Sequence, residues 1–165
     1  IETTYTPKRR FTNPSLSRNY IEENEWVAAF VLEKYQRFSI DFPATYLVFQ
    51  GLHKTRSDLY GRHLDGNRGD AGQRPQGSSG GFNALVFAAQ QPFPNLIWRA
   101  DLSVLYDLSG GVFVQPALRW QPRGHIRVET YFNYVDGSLG SQPNDNIMQT
   151  IRYANELGLR MGYQF

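Results

Sequence analysis

Three histidines are the first place to look for chemistry in this sequence. His53 is followed closely by Ser57 and Asp58, and a Ser–His–acid set would supply a nucleophile, a base and an orienting carboxylate. Such sets are assembled by the fold rather than by closeness along the chain, so this one is not taken as a triad and no catalytic residue is expected. His63 lies in a loop sequence and His125 in the short "PRGH" turn (122–125), where a solvated ring is the simpler reading. In "LDGNRGDAG" (64–72), Asp65, Asn67 and Asp70 offer closely spaced oxygen ligands, the chemistry a hard cation such as Ca²⁺ selects. A complete Ca²⁺ loop motif is absent, and Asp, Asn and Gly are also what turns are made of. No metal and no cofactor are therefore expected. Arg56, Arg62, Arg68 and Arg74 stand around the same loop and could meet phosphate groups, although a solvated charged loop accounts for them as well.

A second set of chemically active residues is distributed differently. Arg99, Asp101, Asp107, Arg119, Arg127, Glu129, Glu156 and Arg160 all fall on one parity of four segments in which apolar residues hold the other parity. "LIWRADLSVLYD" (96–107) sets Leu96, Trp98, Ala100, Leu102, Val104 and Tyr106 against Arg99, Asp101 and Asp107. "VFVQPALRWQ" (112–121), "IRVETYFNYV" (126–135) and the segment 153–165 repeat the scheme. Period-2 alternation over four consecutive segments predicts antiparallel strands with one ionic and one apolar face. Unpaired burial of an ion costs several kcal/mol, so these charges are expected to pair across strands.

Composition agrees with an all-β reading. Aromatics make 15% of the 165 residues, with 11 Phe, 10 Tyr and 3 Trp, and there are 15 Gly. The absence of Cys excludes disulfides and thiolate metal sites. A net charge of +2 gives no reason to expect nucleic acid as a partner. The longest apolar run, "WVAAFVL" (26–32), falls well short of the roughly 20 residues of a membrane helix. Strands of a membrane barrel need no such run, because only alternate residues meet lipid. A chain that starts at Ile1 without Met is expected to be a mature or excised one.

Upstream, "NALVFAAQQ" (83–91) and "ATYLVFQGLH" (44–53) read as strands. "EWVAAFVLEKYQ" (25–36) also spaces Trp26, Val27, Phe30, Val31 and Tyr35 as a helical stripe would, and is taken as a strand because that keeps the up-down parity. "IETTYT" (1–6) adds one more. About eight strands result, joined by tight turns at one end and by long outer loops near 7–24, 54–82 and 136–152 at the other. Pro116 falls within a strand and lacks a ladder donor, so a bulge is predicted near Gln115 to Ala117.

Two all-β solutions fit such alternation. A soluble sandwich would fill its core with the aromatic face. An up-and-down transmembrane barrel would turn that face to lipid. The placing of aromatics favours the barrel. Trp98, Trp120, Tyr163 and Phe165 lie toward one end of the apolar face, and Tyr106, Phe132, Tyr134 and Tyr153 toward the other, as two membrane interfaces would select. The ionic row then faces the lumen, as a polar path or as a plug in a narrow barrel.

The chain ends "GYQF" (162–165), which resembles the C-terminal β-signal of Gram-negative outer-membrane proteins, carried here by Tyr163 and Phe165. One departure is Arg160, where those signals usually hold a glycine. The resemblance implies a bacterial outer-membrane location, contact with outer-membrane lipids and lipopolysaccharide, and recognition by the barrel-assembly machinery. The stretch "EKYQRFSIDFPATYLVFQGLHKTRSDLYGR" (33–62) is similar to a family of large proteobacterial outer-membrane proteins of unknown function, whose genes often lie near resistance-nodulation-division-type exporters. That similarity implies the C-terminal part of a larger barrel, with an export complex as a partner. The function expected is a porin-like or export-associated channel handling small solutes or lipids, not an enzyme. The alternatives are an anchor presenting loops for adhesion or lipopolysaccharide contact, and an outer-membrane lipid hydrolase.

Overall fold

Alternation of the kind described above produces one continuous sheet. The computed structural model describes residues 1–12, 20–55, 82–139, 148 and 151–164. Within them lie β1 (Glu2–Thr12), β2 (Tyr20–Gln36), β3 (Thr45–Lys54), β4 (Phe82–Pro92), β5 (Trp98–Asp107), β6 (Gly111–Arg123), β7 (Ile126–Asp136) and β8 (Glu156–Tyr163), with a single 3-10 turn at Arg152–Ala154 before β8. All neighbours are antiparallel and the order in the sheet is the order in the chain. This is an all-β, up-and-down architecture. Among the described residues, pairing runs from β1 through β8 and does not join β8 back to β1.

The registers assign the faces. Trp98↔Trp120, Leu102↔Pro116 and Val104↔Val114 share one side of β5 and β6, and Arg99↔Arg119 and Asp101↔Ala117 the other. Carried across β7 and β8, the same rule puts Val128 and Met161 on the apolar face and Glu129 and Arg160 on the ionic face. Segment 25–36 is strand throughout, paired with β1 over Glu25–Ala29 and with β3 over Val27–Gln36. Tertiary pairing decides here over the helical spacing, since two neighbours satisfy the backbone. Its apolar side carries Trp26, Ala28, Phe30 and Leu32.

The rows perpendicular to the strands are strongly staggered. One row runs Tyr35↔Tyr46↔Gln90↔Asp101↔Ala117↔Tyr131↔Gly158. It starts at the ends of β2 and β3 nearest their short connection and finishes near the opposite end of β8. A displacement of this sense is what strand tilt in a curled or closed sheet requires. The connections 37–44, 93–97 and 124–125 define one end, the turn end. The stretches 13–19, 55–81, 108–110 and 137–155 define the other, the loop end.

Strand takes both ends of the loop expected at 7–24, because β1 continues to Thr12 and β2 begins at Tyr20. A register shift between Thr6 and Arg9 makes this possible. Lys8 takes φ 50° there and donates its amide to Asn24 Oδ1 at 3.1 Å. Leu96, expected on the apolar face of a strand, lies instead in the β4–β5 turn with φ 57°. No bulge forms at Pro116. Val114↔Tyr134 and Ala117↔Tyr131 flank it in one unbroken register, and the shift with β7 comes later, between Trp120 and Arg123. The proline therefore drops a pairing without displacing the strand, as a missing donor alone would do.

Gly158 has a structural task on the ionic face of β8. A Cβ built there would run into the ring of Tyr131 opposite, which lies over the glycine. Gly158→Ala must displace that ring and is expected to cost about 1–3 kcal/mol. A lowered urea midpoint at unchanged slope would register the loss.

Candidate functional site

Strand parity places the ionic row, and two short connections place it at the turn end. Arg99 follows the first residue of β5 and Arg127 the first residue of β7, so both stand beside turns. One row of the register, Pro92↔Arg99↔Arg119↔Glu129↔Arg160, brings four strands' charges to one level. Arg99 Nε meets Asp101 Oδ1 at 2.8 Å, and its Nη2 donates to Asp101 Oδ2 at 2.9 Å. Arg119 Nη2 bridges Asp101 Oδ2 at 3.7 Å and Glu129 Oε2 at 3.1 Å. Arg127 Nη2 donates to Glu129 Oε2 at 2.6 Å, and Arg160 Nη1 is 3.6 Å from Glu129 Oε1. Arg160 also stacks over Tyr131, its guanidinium carbon 5.7 Å from the ring centre.

The lattice is not electrically balanced. Four guanidinium groups share two carboxylates. The carboxylates are the covered partners: the side chain of Glu129 is 12% exposed, against 45% for Arg127 and 67% for Arg160. N–H donors rather than oxygens therefore face the open side, and an arginine carries more of them than these acceptors can use.

Two of the expected ionic residues stand on this face and outside the lattice. Asp107 ends β5 at the loop end, where it is buried and its Oδ1 accepts the Ser109 amide at 3.0 Å. It forms the 107–110 turn, in which Gly110 takes φ 104°, a conformation that suits glycine. Glu156 accepts from Asn133 Nδ2 at 2.9 Å, and Asn133 in turn accepts from Gln115 Nε2 at 2.7 Å. Parity names the face of a residue and says nothing of its height, so these two sit levels away from Arg119 and Arg160.

A further ionic cluster at the loop end was not anticipated. Glu25 is buried, pairs with Arg9 and lies 3.4 Å from Lys54 Nζ. Glu25 shares the parity of Val27 and Val31, and its partner Arg9 falls in the stretch expected as a loop, 7–24. Phe11, Phe82, Ala84 and Val135 are buried at the same end, so the covered part of the ionic face is its loop end.

The aromatic set lies as follows. Trp98 and Trp120 stack at 6.1 Å, and Tyr163 stands 6.3 Å from the His125 ring, all at the turn end of the apolar face. Tyr106, Phe132 and Tyr134 are exposed toward the loop end, joined by Tyr5 and Trp26 at 5.6 Å. Tyr153 is in the 3-10 turn rather than in β8, and Phe165 lies outside the described residues. Phe30, Phe49 and Phe87 interrupt the aliphatic middle of the face.

His53 Nδ1 is 2.6 Å from Asn83 Oδ1 on the exposed apolar side. Ser57 and Asp58, the cation candidates Asp65, Asn67 and Asp70, and the loop arginines Arg56, Arg62, Arg68 and Arg74 lie outside the described residues. Among the described residues no three His, Asp or Glu side chains group as metal ligands would.

Fold and site together define an up-and-down antiparallel sheet of eight strands bearing an arginine-rich lattice on one face. Comparison with protein-family models, with curated proteins and with solved structures gives no match.

Proposed function

We propose that this sheet is the wall of a β-barrel in a bacterial outer membrane, alone or as the C-terminal part of a larger barrel, serving as a porin-like or export-associated passage for small solutes or lipids. The observation that carries the reading is the apolar face. One row across it reads Leu32↔Phe49↔Phe87↔Val104↔Val114↔Tyr134, and Phe30, Leu118, Leu157, Leu159 and Met161 extend it in the open. From strand spacing and rise the face spans on the order of 1,000 Å², whereas the largest apolar patch on a soluble monomer is about 300–600 Å². Lipid is the solvent that such a face suits.

Three further features support the reading. β3, β4, β5 and β7 have 10, 11, 10 and 11 residues, close to the roughly 9–11 that cross a bilayer at a tilt. Exposed aromatics stand toward both ends of the apolar face, with Phe30, Phe49 and Phe87 between them. The long connections lie at one end, as in outer-membrane barrels, and the C-terminal resemblance to the assembly signal points the same way. Solute would pass along the ionic face, with neutral side chains and the arginine lattice setting what enters. No step in this function calls for a catalytic residue.

Planar-bilayer recording tests the passage. The protein extracted from its native membrane should give steady single-channel steps. Electrical silence with the protein inserted favours instead an anchor for the outer loops. Intact mass of the same extract shows whether further strands complete the wall.

A further inference from the structure

The apolar face changes along its turn end. Over β5, β6 and β8 it finishes in strand aromatics, Trp98, Trp120 and Tyr163. Over β2 to β4 it finishes in polar residues instead. Gln36 pairs with Thr45, and the Thr45 hydroxyl donates to Gln91 Oε1. Gln91 pairs with Ala100 and so belongs to the same face. These three strands offer amides and a hydroxyl at the end where their neighbours offer rings.

The connections supply the missing rings. The Phe93 amide donates to Trp98 O at 3.0 Å, which continues the β4–β5 register and gives Phe93 the parity of Trp98. Phe42, from the connection 37–44, meets Phe93 edge-on at 5.9 Å, and Trp98 meets Trp120 at 6.1 Å. Phe42, Phe93, Trp98 and Trp120 thus follow one another, link by link, along the lipid side of the turn end.

The same connection carries two further apolar tips. Phe38 is 73% exposed and Ile40 84%. The backbone that presents them is held by its own contacts. Arg37 Nε donates to Phe42 O at 3.3 Å and its Nη2 to Ile40 O at 3.0 Å, and the Asp41 amide donates to Ser39 Oγ at 3.2 Å. A loop already fixed in shape loses little entropy on docking, and water is an unfavourable medium for its tips.

We infer that the connection 37–44 is a foot seated in the lipid leaflet at the turn end, with Phe38, Ile40 and Phe42 at the boundary between headgroups and acyl chains. The inference rests on the barrel reading and adds an interaction surface to it, on a connection that would otherwise stand in water. Continuity selects the occupant. Phe42 already meets a ring of the lipid-facing parity, and the tips lie two and four residues before it. An interface also suits the alternation of Phe38, Ile40 and Phe42 with Ser39 and Asp41, because it takes apolar and polar side chains side by side. A protein partner would instead need the tips clear of the membrane.

The chain has no cysteine, so Ile40→Cys and Leu102→Cys can each be labelled with a nitrobenzoxadiazole dye and the full chain placed in phosphatidylcholine nanodiscs. The dye at position 102 is read first. The barrel reading requires that a lipid nitroxide deep among the acyl chains quench it. If it does not, that reading falls and this inference with it. With position 102 quenched, the dye at position 40 should emit to the blue of the same dye on free cysteine. It should respond more to a nitroxide near the headgroup than to the deep one, and lose most of its quenching by aqueous iodide. Unshifted emission with full access to iodide would leave the tips in water, free for a protein partner; it overturns the inference and leaves the barrel standing. A stronger response to the deep nitroxide than to the shallow one overturns it as well.

Discussion

Leu118→Arg is expected to lower the stability of the protein in lipid vesicles by about 1–3 kcal/mol, the cost of a cation facing hydrocarbon between the Trp120 level and mid-bilayer. Leu118 lies on the apolar face of β6, opposite Ala100, with its side chain open to the surroundings. Its open position makes the variant informative. If water bathed that face, an arginine would be tolerated within about 0.5 kcal/mol, as exposed substitutions usually are. The matched variant is Ser103→Arg, on the ionic face of β5 and two residues from Asp101, which is expected to cost less than about 1 kcal/mol. Urea titration of both in vesicles of one composition gives the comparison. A cost for Ser103→Arg as large as that for Leu118→Arg would remove the distinction between the faces.

The second large effect is expected at Glu129. This carboxylate is the shared acceptor of Arg119, Arg127 and Arg160. Glu129→Ala leaves the four guanidinium groups of the lattice with Asp101 as its remaining anion. Removing one partner of a covered ion pair costs about 3–5 kcal/mol. The lower end of that range applies here, because Arg127 and Arg160 are open enough to recover water. Glu22→Gln supplies the contrast. Glu22 meets Arg10 Nε at 3.2 Å with both side chains exposed, and an exposed pair of this kind contributes about 0–1 kcal/mol. Equal losses in the two variants would mean that the lattice is an ordinary solvated face.

How much of this was legible in the chain depended on whether the two parities differ in chemistry. In β5, β6, β7 and β8 one parity carries the charges and the other is apolar, and there the faces, the strand pairs and the residues Arg99, Asp101, Arg119, Arg127, Glu129 and Arg160 followed from the alternation. In β2 and β4 both parities are apolar in the middle: Ala28, Phe30 and Leu32 on one side, Ala29 and Val31 on the other, and Val86 and Ala88 behind Leu85 and Phe87. Alternation fades where both faces are greasy, so 25–36 could also be read as a helix. The opposite case hid the start of the sheet. "TPKRRFT" and "YIEENE" are polar on both parities, and a strand that is polar on both sides looks like a loop until its partner is known. Height was illegible throughout. Asp107 and Glu156 have the right parity and the wrong level, because level depends on turn lengths and on register shifts such as those at Thr6/Arg9 and Trp120/Arg123.

The chain has no cysteine, so single cysteines can be introduced one at a time along β5 and β6 and spin-labelled after reconstitution into bilayers. Collision of the label with oxygen, which concentrates in lipid, is compared with collision with a water-soluble nickel chelate. With apolar side chains toward hydrocarbon, labels at Ala100, Leu102, Val104, Val114 and Leu118 should favour oxygen. Labels at Asp101, Ser103, Gln115 and Ala117 should favour the chelate, with a period of two along each strand. The reverse pattern, or chelate access on both parities, would contradict the orientation of the sheet on which the whole account stands.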